Sequence, residues 1–157
     1  MKQIVDISDG KVSARADDEL LTHSLGSCIG VTLYDPEAHV GGLLHFQLPQ
    51  ANRPMNQVKR PYMYADTGMA LMLHELLCLG AEKKRLSVKI AGGARIMDDT
   101  RMYAMGRRNY DALCQFLTEH GLRVEKQDVG GFEPRNMSLA IADGTVCVKC
   151  AGAEKTL

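Results

Sequence analysis

At 157 residues, with 45% hydrophobic and 24% charged residues, the sequence fits one compact globular domain spanning 1–157 rather than a disordered chain. Nineteen basic residues balance nineteen acidic ones, which argues against a nucleic-acid binder that works by counterion release and favours protein or small-molecule partners. The five cysteines are an odd number and point to free thiols rather than a disulfide framework.

Residues 1–6 turn polar and acidic before an apolar stretch of signal-peptide length can form. The longest apolar-leaning stretch, 69–81, contains His74 and Glu75 and is too short to span a bilayer. A cytoplasmic protein without membrane insertion is therefore expected. Further along, 29–34 reads as a strand, 35–38 as the turn that ends it, and 40–46 as the returning strand, stopped before Pro49. The polar stretch 50–64, with Pro54 and Pro61, reads as a long functional loop. Asp66 or Thr67 can cap a helix running to about Leu79, with Met69 and Met72 on its core face and Gly80 as its stop. Residues 86–90 alternate as a strand and run into the Gly92-Gly93 pair. Asn109 is placed as the cap of a second helix, with Leu113, Phe116 and Leu117 inward and Gly121 as its stop. Residues 122–124 form a strand candidate leading to Gly130-Gly131. The chain closes on a hairpin, 137–142 and 145–148, around Asp143-Gly144. The fold expected is a mixed α/β (α+β) domain, with largely antiparallel sheet layers packed with two to three helices.

The chemistry concentrates at Thr22-His23-Ser24-Leu25-Gly26-Ser27-Cys28. Cys28 starts one strand and His45 ends the next, so an antiparallel hairpin sets them side by side. A thiol attacks well only when deprotonated, and an adjacent imidazole supplies the base. Gly26 is expected to let the backbone turn tightly. The N–H groups of Ser27 and Cys28 can then meet an oxyanion. Thr22 can hold the second imidazole nitrogen, in an orienting role alone, since a hydroxyl does not stabilise an imidazolium as a carboxylate does. An activated Cys28 is expected to alkylate faster than Cys78 or Cys114. On spacing alone, however, an unpaired cysteine is more often an inert core residue, and His45 beside Phe46 equally fits a satisfied histidine at a strand end.

Other features carry less. Cys147 and Cys150 supply two thiols where a structural zinc site needs four ligands, and in a strand they face opposite ways. Gly92-Gly93 lacks the flanking residues of a P-loop or a dinucleotide fold and reads instead as a tight turn lining the active site. Asp98 and Asp99 read as a solvated loop. His23 is treated as exposed or structural.

The segment from Thr22 to Cys28, together with Gly41-Gly42-Leu43-Leu44-His45-Phe46-Gln47-Leu48-Pro49, resembles the CheD family of chemoreceptor glutamine deamidases. Tyr64-Ala65-Asp66, Lys89-Ile90-Ala91-Gly92-Gly93-Ala94, Gly106-Arg107-Arg108-Asn109 and Asp128-Val129-Gly130-Gly131 agree with that family in order. Pro134-Arg135 departs from its usual Gly-Arg. The resemblance implies Cys28 as nucleophile, His45 as base and Thr22 as third member, on a fold akin to the catalytic domain of deamidating bacterial toxins. It further implies chemoreceptor helices as substrate and a CheC-type phosphatase as a partner; the cysteine chemistry itself calls for no metal or organic cofactor and extends to glutamyl methyl esters, which offer the same acyl carbon.

Overall fold

The computed structural model describes residues 1–95 and 100–157, the side chains of 100–103 excepted; Asp98 and Asp99 thus lie outside the described residues. Its strands are β1 (Lys2–Ile4), β2 (Asp9–Ser13), β3 (Glu19–Leu25), β4 (Ile29–Asp35), β5 (Val40–Phe46), β6 (Ser87–Gly92), β7 (Val124–Val129), β8 (Arg135–Ala140), β9 (Val146–Cys150) and β10 (Ala153–Thr156). Helix α1 (Ala65–Cys78) follows β5, and α2 (Thr100–Glu119) joins β6 to β7. The strands form two sheets, a central one ordered β2-β5-β4-β6-β7 and an outer one ordered β1-β3-β8-β9-β10. Two pairings are parallel, β1 with β3 and β6 with β7; the others are antiparallel.

The layering follows from side-chain alternation along β4 and β5. Ile29, Val31, Leu33, Leu44 and Phe46 join Met69, Met72, Leu76, Leu113 and Leu117 in the core between central sheet and helices. Tyr34 and Leu43 join Leu20, Leu25, Met137, Leu139 and Val148 in a second core between the two sheets. Period-2 alternation thus sends successive residues of one strand into two different cores. Both strands are buried throughout, which is why they read as mostly apolar runs rather than as polar–apolar alternation. The expected α+β architecture, largely antiparallel layers packed with two to three helices, is the one observed, with two α-helices among the described residues.

Several boundaries differ from expectation. Helix α1 starts at Ala65 with Tyr64 at its N-cap and no capping side chain. Asp66 lies inside the first turn, where its carboxylate accepts from the N–H groups of Ala51 and Thr67. Asn109 is not a cap either: α2 begins at Thr100, so Asn109 lies mid-helix and fully buried. Strands β1 to β3 and β10 carry too few buried apolar residues to stand out in the sequence. Gly80, Gly121 and Gly144 all have positive φ, as the helix stops and the terminal turn require.

Candidate active site

The β4–β5 hairpin sets the frame. Its ladder pairs Ile29 with Phe46 and Gly30 with His45, so Cys28 stands one residue beyond the last pair. His45 and the side chain at position 30 share a face, because directly opposed residues point the same way. That face is the one toward the outer sheet: a Cβ placed on Gly30 would meet Leu25 and Met137 of β3 and β8 at 2.8 and 3.0 Å. Cys28 packs against this same inter-sheet core. Cys28 and His45 are thus diagonal neighbours across the hairpin, a relation that ordinarily sets Cα atoms about 7–8 Å apart. Gly30, which stands between them on that face, has no side chain to separate them.

The outer sheet supplies the third group. Thr22 of β3 is buried, and its Oγ1 lies 2.7 Å from His45 Nδ1 and 2.6 Å from the Val5 carbonyl oxygen. A threonine hydroxyl has one hydrogen, and the Val5 carbonyl can only accept, so that hydrogen goes to Val5. Toward His45 the hydroxyl must then accept, which puts the imidazole proton on Nδ1 and leaves a lone pair on Nε2. His45 is fully buried, and Nε2 has no hydrogen-bond partner among the described residues. Burial pushes the His45 pKa down to about 4, against the weaker opposing pull of Asp6. Cys28 is a half-buried free thiol. Burial pushes its pKa up, and its own backbone N–H offsets part of that. Both shifts favour a neutral thiol and a neutral imidazole at rest over an ion pair.

The Cys28 loop is held from three directions. Ala94 N–H donates to the Gly26 carbonyl at 2.7 Å and Gly93 N–H to the Cys28 carbonyl at 2.9 Å. Asn109 Nδ2 donates to the carbonyls of Ser27 and Gln47, both at 3.0 Å. The left-handed residue of the loop is Ser24 (φ 59), within the β3 bulge, and Gly26 N–H closes the tight turn by donating to the Ser24 carbonyl at 3.0 Å. Ser24 N–H is fixed by Asn136 Oδ1 at 3.0 Å. Gly92 turns β6 away with φ 110, and a Cβ there would lie 2.4 Å from the Cys28 carbonyl oxygen.

Around this turn Arg135, only 6% exposed, donates to the Gly130 carbonyl at 2.7 Å and pairs with Asp128 at 3.3 Å. Its guanidinium braces the 128–131 segment, and Gly130 N–H reaches the Gly92 carbonyl at 3.0 Å. His23 is exposed. Cys147 and Cys150 both lie on β9. All five cysteines are free, and no cluster of three or more metal-ligating side chains occurs among the described residues. No helix among the described residues is long and apolar enough to cross a membrane.

Sequence reasoning gathered Thr22, Cys28 and His45 and placed the Gly92-Gly93 pair as a turn beside them, but missed Asn109 as a part that holds the loop. A signal was present: Gly106 and Asn109 stand three apart, so a helix puts both on one face. A Cβ on Gly106 would lie 3.0 Å from Gly93, so that face is the one pressed on the turn.

Fold and site together define a class, an α+β protein with a half-buried thiol and a buried neutral imidazole at the open end of one hairpin. A family model described as "CheD chemotactic sensory transduction" matches residues 47–150, and the chain belongs to the CheD family. It is 41% identical to the protein of Syntrophus aciditrophicus named "Probable chemoreceptor glutamine deamidase CheD 1", over 95% of this chain and 94% of that one. It is 37% identical to the "Probable chemoreceptor glutamine deamidase CheD" of Solibacter usitatus, over 98% and 92% of the two chains. Among solved structures, the Bacillus licheniformis hypothetical protein YfiH superposes with a TM-score of 0.48 at 14% identity, over 77% of this chain and 49% of that one.

Proposed function

We infer that the chain is a cytoplasmic chemoreceptor glutamine deamidase, a cysteine-dependent amidohydrolase that converts protein glutamine to glutamate. One observation carries the reading: Thr22 fixes the tautomer of His45, so that a buried, unpartnered Nε2 lone pair lies on the same sheet face as the Cys28 thiol. A neutral base beside a nucleophile is what acyl transfer needs, and burial alone would not call for a threonine to orient the ring.

The reaction divides into two halves. Cys28 Sγ attacks the carboxamide carbon as its proton passes to His45 Nε2, and the carbonyl π electrons move to oxygen. The N–H groups of Cys28 and Ser27 receive that oxyanion. Its collapse expels the nitrogen, which takes the proton back from His45 and leaves as ammonia, with a thioester on Cys28. Water, deprotonated by His45, then attacks the thioester and releases glutamate and the free thiol. No step calls for a metal or an organic cofactor. Glutamyl methyl esters offer the same acyl carbon, so methylesterase activity belongs to the same reading. The names of the relatives support a chemoreceptor as substrate. The family resemblance adds a CheC-type phosphatase as a partner that docks near Cys28.

The test is incubation of the protein with receptor cytoplasmic fragments, followed by mass spectrometry of the receptor peptides. Conversion of glutamine to glutamate by wild type and none by Cys28→Ala is expected. Receptor binding by both proteins with conversion by neither would leave an adaptor, and would sink the enzyme reading.

A further inference from the structure

We propose that Asn109 is a positioning residue, whose side-chain amide holds the two strand ends bearing Cys28 and His45 and aims the Cys28 N–H at the reacting carbonyl. The inference rests on reading Cys28 as a nucleophile that attacks an acyl carbon.

The β4–β5 ladder stops at Ile29 and Phe46. The next residues in register, Cys28 and Gln47, make no ladder pair. Gln47 N–H instead goes to the Met63 carbonyl at 2.9 Å. Asn109 stands where the ladder ends. Its Nδ2 has two hydrogens, and it reaches one carbonyl from each strand end, Ser27 and Gln47, at 3.0 Å apiece. One amide thus takes the place of a lost rung and sets the spacing of the two ends. Fully buried, it is closed off from bulk solvent.

Direction follows from the peptide plane. In a trans peptide the C=O and the following N–H point opposite ways, and no peptide bond here is cis. Fixing the Ser27 carbonyl on Asn109 therefore turns the Cys28 N–H away from α2. The Ala94 N–H on the Gly26 carbonyl fixes the Ser27 N–H in the same manner. Two successive donors thus have their directions set before any substrate arrives, which is the preorganisation an oxyanion requires. The Gly106 position lets α2 come close enough to the 93–94 turn for Asn109 to reach.

A role in oxyanion geometry separates two reactions of the same thiol. Acylation by p-nitrophenyl acetate passes through a tetrahedral oxyanion, whereas alkylation by iodoacetamide does not. Both rates can be read at the Cys28 peptide by mass spectrometry in wild type, Asn109→Ala and Asn109→Asp, in variants whose near-ultraviolet circular dichroism matches wild type. The expected result is acylation lowered by about 10²-fold, the scale of one lost oxyanion donor, with alkylation within about threefold of wild type. Rates that change together, or do not change, overturn the inference. So does loss of the folded spectrum in both variants, which would assign Asn109 to stability alone, and so does a wild-type Cys28 that is not acylated. Acylation that behaves as expected beside receptor fragments left unconverted would sink the receptor reading and leave the Asn109 inference standing.

Discussion

Thr22 and His45 come from different sheets and meet at 2.7 Å, and the hydroxyl between them has already given its proton to the Val5 carbonyl. The contact is therefore directional and reads out a single imidazole tautomer. Thr22→Val keeps the shape and removes both hydrogen bonds, leaving the Nδ1–H and the Val5 carbonyl unpaired. A stability loss of about 1–3 kcal/mol is expected, together with a fall in kcat between about tenfold and about 10²-fold. Thr22→Ser should retain most of both. Urea denaturation and deamidation kinetics on the same preparations check this, and a Val variant as active as the Ser variant would remove the orienting role.

Stability should depend on pH through His45. Its pKa is near 6.5 when unfolded and about 4 when buried, so between those values the unfolded chain binds the extra proton. The contribution is fully present above about pH 6.5 and is lost as pH falls toward 4, amounting to roughly 3 kcal/mol. Urea midpoints measured from pH 7.5 to pH 4 should fall for wild type and fall less for His45→Gln. Parallel curves would show that the imidazole is not what titrates.

Asp35, at the far end of β4 from the thiol, offers a contrast. Burial pushes its carboxyl up, but Arg85 and the backbone N–H groups of Glu82, Ala38 and Glu37 outweigh that and hold it well below the ordinary range. The stabilisation is present above about pH 3.8 and is lost as pH falls below it. Asp35→Asn weakens the buried contact to Arg85, 2.9 Å away, while Glu37 and Glu82 still pair with the guanidinium, and should cost about 1–3 kcal/mol. Turnover per folded molecule at 20 °C should stay within about twofold, since no chemistry is expected at that end; calorimetry and active-site titration measure the two quantities separately.

Two glycines separate backbone strain from contact with the site. Gly92 (φ 110) has the Cys28 carbonyl 2.4 Å from the position of an added Cβ, whereas Gly80 (φ 102) has nothing within 4 Å. Alanine at either position should cost about 1–3 kcal/mol for the backbone conformation. Only Gly92→Ala should also abolish acylation of Cys28. Equal activity in the two variants would mean that the turn does not govern the thiol.

Burial also changes the expected order of thiol reactivity. An activated cysteine was the sequence-based reason to expect Cys28 to alkylate before Cys78. The structure instead leaves Cys28 half-buried with its pKa pushed up, and Cys78 exposed. Iodoacetamide at pH 7 should therefore label Cys78 first and Cys28 later, as judged by peptide mapping over time. The reverse order would mean a thiolate already formed at rest.

The hairpin was legible because its two strands are rich in β-formers and are divided by a turn at Asp35-Pro36, a combination that local rules read well. The Thr22–His45 contact was legible through chemistry rather than position, since an imidazole that is to serve as a base needs its second nitrogen held. Asn109 was misread because an asparagine ahead of an apolar helical period looks like a cap. The turns before it, with Gly106 and two arginines, look unlike a helix until their packing on Gly93 is known. The short strands of the outer sheet stayed hidden for a related reason. Lys2–Ile4 and Ala153–Thr156 have hardly any buried residues, so their partners hold them in place and their own sequences do not.

The neutrality of the resting pair reaches beyond acyl transfer. Peroxides and disulfides react with thiolates far faster than with thiols, and a cysteine that is deprotonated at rest is the kind that oxidants find first. In the mechanism proposed above, the proton leaves Cys28 only as a carbonyl carbon is engaged, when His45 gains by taking it. The same burial that delays the nucleophile should spare it from sulfenic acid and mixed-disulfide formation, so that a fluctuating redox environment does not silence the site between encounters with substrate.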